Sequence, residues 1–136
     1  MKKSGVRKKF KFDVKEILLI ILAVVVVILI FAFFDYLMHQ LSDKYAVPSY
    51  YFRHKIIYGT IIGAIAYYFL RNKRLLTKSL MFSAIVSILL QINYYLQGYA
   101  LSFVILFLFI HFVILVLTSL FIFYLLDNYI FKKVKK

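Results

Sequence analysis

Hydrophobic positions in this chain fall into four long runs, and polar positions collect in the five segments around them. The first run, residues 17–34, is eighteen unbroken apolar residues, nearly pure Leu, Ile and Val as far as Ile30. A secretory signal has an apolar stretch of only about 7–15 residues and a small-residue cleavage site, so an uncleaved signal-anchor is expected here. Pro48, the only proline, suits the first turn of a helix and keeps Val47 out of helical geometry. The pattern thus predicts spans at residues 15–41, 49–70, 75–96 and 99–126, each long enough for a bilayer of about 30 Å. Gln97-Gly98 is read as a tight hinge that makes an antiparallel hairpin of the last two spans. The expected fold is all-α, with four transmembrane helices in an antiparallel bundle. One membrane domain covers residues 15–130, between a basic tail at 1–14 and another at 131–136. The two halves share neither polar positions nor loop lengths, so inverted-repeat transporter architecture has no support.

Charge gives the pattern a direction. Fifteen of the eighteen Lys and Arg lie in the first, third and fifth of the five segments. The segment after the first apolar run holds three (Lys44, Arg53, Lys55), and the one after the third run holds none. Basic flanks stay cytoplasmic during insertion, so a multi-pass protein of the cell membrane with both termini on the cytoplasmic side is expected, with anionic head groups around the basic face. Tyr45, Tyr50, Tyr51, Tyr94, Tyr95 and Tyr99 form one aromatic belt, and Tyr67, Tyr68, Tyr124 and Tyr129 a second. So lopsided a charge distribution excludes a dual-topology dimer; any homo-oligomer should be parallel.

Composition removes other classes. At 65% hydrophobic, the chain has too little polar surface to be a soluble globule. Its net charge of +13 sits at the ends of apolar runs, where lipid head groups are the natural partner, so no nucleic acid is expected. Without cysteine there is no thiol redox centre, thiolate metal site or palmitoylation. No phosphate loop, nucleophile elbow, catalytic carboxylate pair or zinc-protease motif is present, and no cofactor or metal is expected.

The polar residues inside the runs are the candidate chemistry. Gly59, Gly63 and Ala66 form a small-residue face on the second span, suited to contact within the chain or to a dimer seam. Ser79, Ser83, Ser87, Gln91 and Tyr95 recur every four residues along the third, on one slowly drifting stripe. Serines can bond their own backbone, whereas Gln91 needs a partner on another helix. His111 lies about 18 Å below the outer end of the fourth span at 1.5 Å per residue, near mid-membrane. It reads either as an imidazole bonded across the bundle or as a proton relay or ligand site. Asp35 and His39 stand i,i+4 near the outer end of the first span. Arg53 and His54, with Gln91, Asn93 and Tyr94–Tyr95, come to the same level. An Asp35–Arg53 ion pair is expected there, with the histidines facing water. A metal site would need His39, His54 and a carboxylate to converge, which is a weak signal, and haem is weaker still.

The featureless first span and minimal loops favour a non-enzymatic accessory or assembly subunit packed against a membrane partner. The alternative is a small parallel homo-oligomeric transporter, channel or carrier built on Ser83, Ser87, Gln91, His111 and the outer cluster. An enzyme acting on a lipid-linked substrate ranks third. The orientation is directly testable: reporters fused after Asp43 and Gly98 should report outside and one after Lys73 inside, and any reversal breaks the scheme.

Overall fold

A computed structural model describes residues 13–130 and 132. All but Asp13, Val14 and Lys132 of the two predicted tails lie outside the described residues. Four helices follow in order: α1 (Val14–His39), α2 (Tyr50–Leu70), α3 (Leu75–Leu96) and α4 (Leu101–Leu125). A single 3-10 turn, Asp43–Tyr45, interrupts the first connection, and α4 runs on into a π-helical turn, Leu126–Ile130. α1 packs against α2 and α4, and so does α3, which leaves α1 and α3 on the diagonal of an up-down-up-down bundle. One end of the bundle, called here the distal end, carries the α1–α2 and α3–α4 connections. The other, the termini end, carries the chain ends and the α2–α3 turn.

Local chemistry sets the boundaries. Asp13 is extended, and its carboxylate accepts from the Lys15 amide at 3.0 Å, capping α1. Gly98, at φ +85°, ends α3 in the left-handed region that only glycine enters without strain. The Gly98 amide donates to the Tyr95 carbonyl and the Tyr99 amide to that of Tyr94, the paired bonds of a Schellman terminus. The predicted two-residue hinge is therefore a four-residue connection, because α4 starts only at Leu101.

α1, α3 and α4 are long and apolar enough to cross a membrane. The second predicted span forms a helix of 21 residues but falls short in composition. The reason is the run of Arg53, His54 and Lys55 in its first two turns.

Each helix buries one stripe. On α2 it reads Tyr51, Lys55, Gly59, Gly63, Ala66, Tyr67 and Leu70, and on α4 Val104, Phe107, His111, Leu115, Ser119 and Phe123. The remaining faces of α1 and α4 are dominated by exposed Leu, Ile, Val and Phe. Gly59, Gly63 and Ala66 all face inward, so the small-residue face is used inside the chain. It lets α2 approach α1 and α3 closely, the main packing device where the surroundings are as apolar as the helices. A Cβ built on Gly63 would stand 2.8 Å from Val24 Cγ1 and 3.1 Å from the Phe82 ring, while one on Gly59 would stand 3.3 Å from Ile28.

Overpacking of this kind costs about 1–3 kcal/mol. Gly63→Ala should therefore lower the thermal midpoint in mild detergent clearly more than Gly59→Ala, where the tip of Ile28 can turn aside. Equal losses would show that the α2 contact is looser than described.

Candidate functional site

Four helices each contribute a buried polar side chain to one network in the distal half of the bundle. Asp35 and His39 come from α1, Lys55 from α2, Gln91 from α3 and His111 from α4, and none is more than 3% exposed. Asp35 is the hub. Its Oδ1 accepts from His111 Nε2 at 2.7 Å and its Oδ2 from the Lys55 ammonium. Lys55 Nζ also lies 3.3 Å from His39 Nε2, and His39 Nε2 lies 3.5 Å from Asp35 Oδ1.

The partners fix where the protons sit. A backbone carbonyl can only accept, so His39 must donate from Nδ1 to the Tyr45 carbonyl, which leaves Nε2 to accept from Lys55. A carboxylate likewise only accepts, so His111 donates from Nε2 to Asp35. Its Nδ1 accepts from the Gln91 amide nitrogen at 2.7 Å. With both imidazoles neutral, the network holds one negative and one positive charge among buried side chains. The Gln91 side-chain oxygen is buried and has no partner among the described residues.

Aromatic rings pack around the network. His39 stacks on Phe107 at 4.1 Å between centroids, and Phe31 meets His111 edge-on at 5.0 Å. The Lys55 ammonium lies 4.8 Å from the centre of the Tyr94 ring, a cation–π contact in a desolvated setting. Asp35, His39 and His111 bring atoms of the kind that bind metals within 4.8 Å of one another. The positive charge at that point is Lys55's own, bonded to Asp35 and His39, and a divalent ion would have to displace it. His54, the histidine that the sequence offered for such a site, is exposed and packs against Tyr50 and Tyr58.

A second charged contact lies at the termini end. Lys78, 1% exposed, reaches both Asp127 oxygens at 3.0 and 2.8 Å, and Tyr67 OH lies 3.4 Å from Asp127 Oδ1 and from the ammonium. Buried serines of α3 run between the two charged layers. Ser83 meets Ser119 of α4 at 3.4 Å, Ser87 donates to the Ala84 carbonyl at 3.2 Å, and Ser79 Oγ has no partner among the described residues. Tyr95, the last residue of the expected stripe, is exposed, and Tyr94 takes the buried position as the stripe drifts.

Three features depart from the sequence reading. Asp35 pairs with Lys55 instead of Arg53, which is exposed. His39 bonds the Tyr45 carbonyl and Lys55 instead of facing water, whereas His54 is exposed and His111 bonds Asp35 and Gln91 across the bundle; Asn93 stays outside the network, half-buried. Lys55 and the Lys78–Asp127 pair were missed. Lys55 was within reach of the pattern, since it stands four residues before Gly59 on the face that Gly59 and Gly63 define. Arg53 and His54 stand off that face.

No protein-family model matches the chain, and comparison with curated proteins and with solved structures gives no match either.

Removing one partner of a buried ion pair costs about 3–5 kcal/mol, because the other charge is left uncompensated. Lys55→Met and Asp35→Asn should each destabilise the protein by that order in detergent unfolding. Their combination should cost clearly less than the sum. Arg53→Gln should stay within about 0.5 kcal/mol. An additive double variant, or an Arg53 effect as large as that of Lys55, would show that the pairing is wrong.

Proposed function

We propose that this protein is a multi-pass cell-membrane protein, both termini cytoplasmic, that works as a small proton carrier through its buried Asp35–His111–His39–Lys55 network. The observation that carries the reading is Asp35 itself: fully buried, and bonded to a lysine and an imidazole on two other helices. Such a group gives little net stability over an apolar filling. Within membrane spans, ionisable residues mark ion and proton pathways.

The arrangement suits proton exchange. His111 Nδ1 accepts from Gln91, and if that nitrogen gains a proton the amide can turn and offer the side-chain oxygen that now lacks a partner. The Gln91 amide is thus a gate between two proton inventories of one imidazole. Below it, Ser87, the Ser83–Ser119 pair and Ser79 lead toward Lys78 and Asp127. Successive α3 positions are about 6 Å apart, so each step needs a water or a side-chain rotation. Phe82, Leu115 and Phe123 are fully buried around that column, which favours proton transfer over the passage of hydrated ions.

The reading as an assembly subunit is less favoured, because the small-residue face of α2 is occupied within the chain. A parallel homo-oligomer remains compatible with the proposal, since each subunit contains its own network.

In liposomes enclosing a pH-sensitive dye, an imposed potential should drive proton entry above that of protein-free vesicles. His111→Leu and Gln91→Leu should abolish it, while Thr118→Val, which removes only a hydroxyl bonded to its own helix, should leave it intact. Flux unchanged in both network variants would sink the proposal.

A further inference from the structure

A crevice of about 400 Å³ opens between the distal halves of α2 and α3, within the size range of small-ligand sites. Its two walls repeat one order. Toward the distal end stand His54 on α2 and Gln97 on α3; eight residues further along each helix, about 12 Å, stand Ile62 and Leu89, with Asn93 midway between Gln97 and Leu89. The floor is Lys55. An ammonium has three hydrogens, and two of them go to Asp35 and His39. The third is left with the ring face of Tyr94, another lining residue, whose buried hydroxyl has no partner among the described residues. No carboxylate lines the crevice, and both oxygens of the nearby Asp35 are already engaged.

We propose that this crevice binds an anionic amphiphile, its head group held by Lys55, Asn93 and the Tyr94 hydroxyl and its first methylenes lying along Ile62 and Leu89. Charge selects the head: the one charged group on the wall is a buried cation with a spare donor, and a cationic head would meet that ammonium with nothing to neutralise it. Polarity selects the tail, because both walls turn apolar in the same direction, away from the distal end. The amide of Asn93, half-buried and outside the Asp35 network, thereby gains a role. Anion binding also bears on the network, since the incoming oxygen shares Lys55 with Asp35.

The test uses the full chain in a neutral detergent, with palmitoyl lysophosphatidic acid and palmitoyl lysophosphatidylcholine as probes and native mass spectrometry as the readout. The lysophosphatidic acid should bind one per chain and about tenfold more tightly than the choline lipid, as expected for hydrogen bonds to a charged group. Leu89→Trp fills the crevice from an exposed position and leaves every basic residue in place, so it separates this site from general attraction to lysine-rich ends. It should remove the bound lipid without lowering the thermal midpoint, and Asn93→Leu should weaken it. Equal binding of the two lipids, or unchanged binding in Leu89→Trp, overturns the proposal. Complete displacement of the lipid by inorganic phosphate alone would show a free-anion site and overturn the amphiphile.

Discussion

A charge taken out of water has to find its opposite within hydrogen-bonding distance, and this bundle is arranged around one such meeting. Asp35 touches side chains from α1, α2 and α4, and through His111 it reaches Gln91 on α3. Interior electrostatics are little screened, so displacing any one helix separates a strongly interacting pair or strands a donor. Apolar contacts between helices are weakly specific where the surroundings are themselves apolar, because Leu against Leu and Leu against lipid differ little. The network supplies the specificity they lack. It sets the register of four otherwise similar helices, and the inward glycines of α2 allow the backbone approach that brings Lys55 within reach of Asp35.

The same requirement accounts for the use of acidic residues. The chain has five carboxylates against eighteen Lys and Arg, and two of the five, Asp35 and Asp127, each hold a buried lysine. Lys55 and Lys78 therefore do not count toward the basic surface, although in sequence each lies beside other basic residues. Removing them leaves the contrast between the predicted inner and outer segments even steeper, since one of the three outer cations is buried. The bundle thus holds two neutral charged layers, one near each end, separated by a core in which serine is the main polar residue.

Helices and connections were legible because their signals are local. Asp13, Pro48 and Gly98 act through their own backbone geometry, and apolar runs of bilayer length have few alternatives. The interior was legible only in part. Gln91 could be seen to need a partner, since one carboxamide on a helix of that character cannot remain alone; that the partner is His111 depends on the rotation of α4. Depth alone does not single out Lys55: three consecutive basic residues share one depth, and only the third lies on the glycine face. Lys78 and Asp127, 49 residues apart in sequence, meet only because the α3–α4 hairpin folds back on itself. No local pattern encodes such a pair.

The two layers differ in a way that separates exchange from anchoring. At the termini end, both Asp127 oxygens bond one ammonium, and Asp127 is itself one-third exposed, so water can replace any contact that is lost. At the distal end, no partner of Asp35 is more than 3% exposed, both imidazoles have their hydrogens placed by a second residue, and one acceptor, Gln91 Oε1, has no partner among the described residues. A purely structural ion pair gains nothing from an idle acceptor beside a titratable ring, because an unmade buried hydrogen bond costs about 1–3 kcal/mol. That cost is offset if the oxygen has a second state in which it is used, which for this amide means a half-turn and a proton on His111 Nδ1. The idle oxygen, like the Tyr94 hydroxyl that also has no partner among the described residues, is a feature that packing alone leaves unexplained.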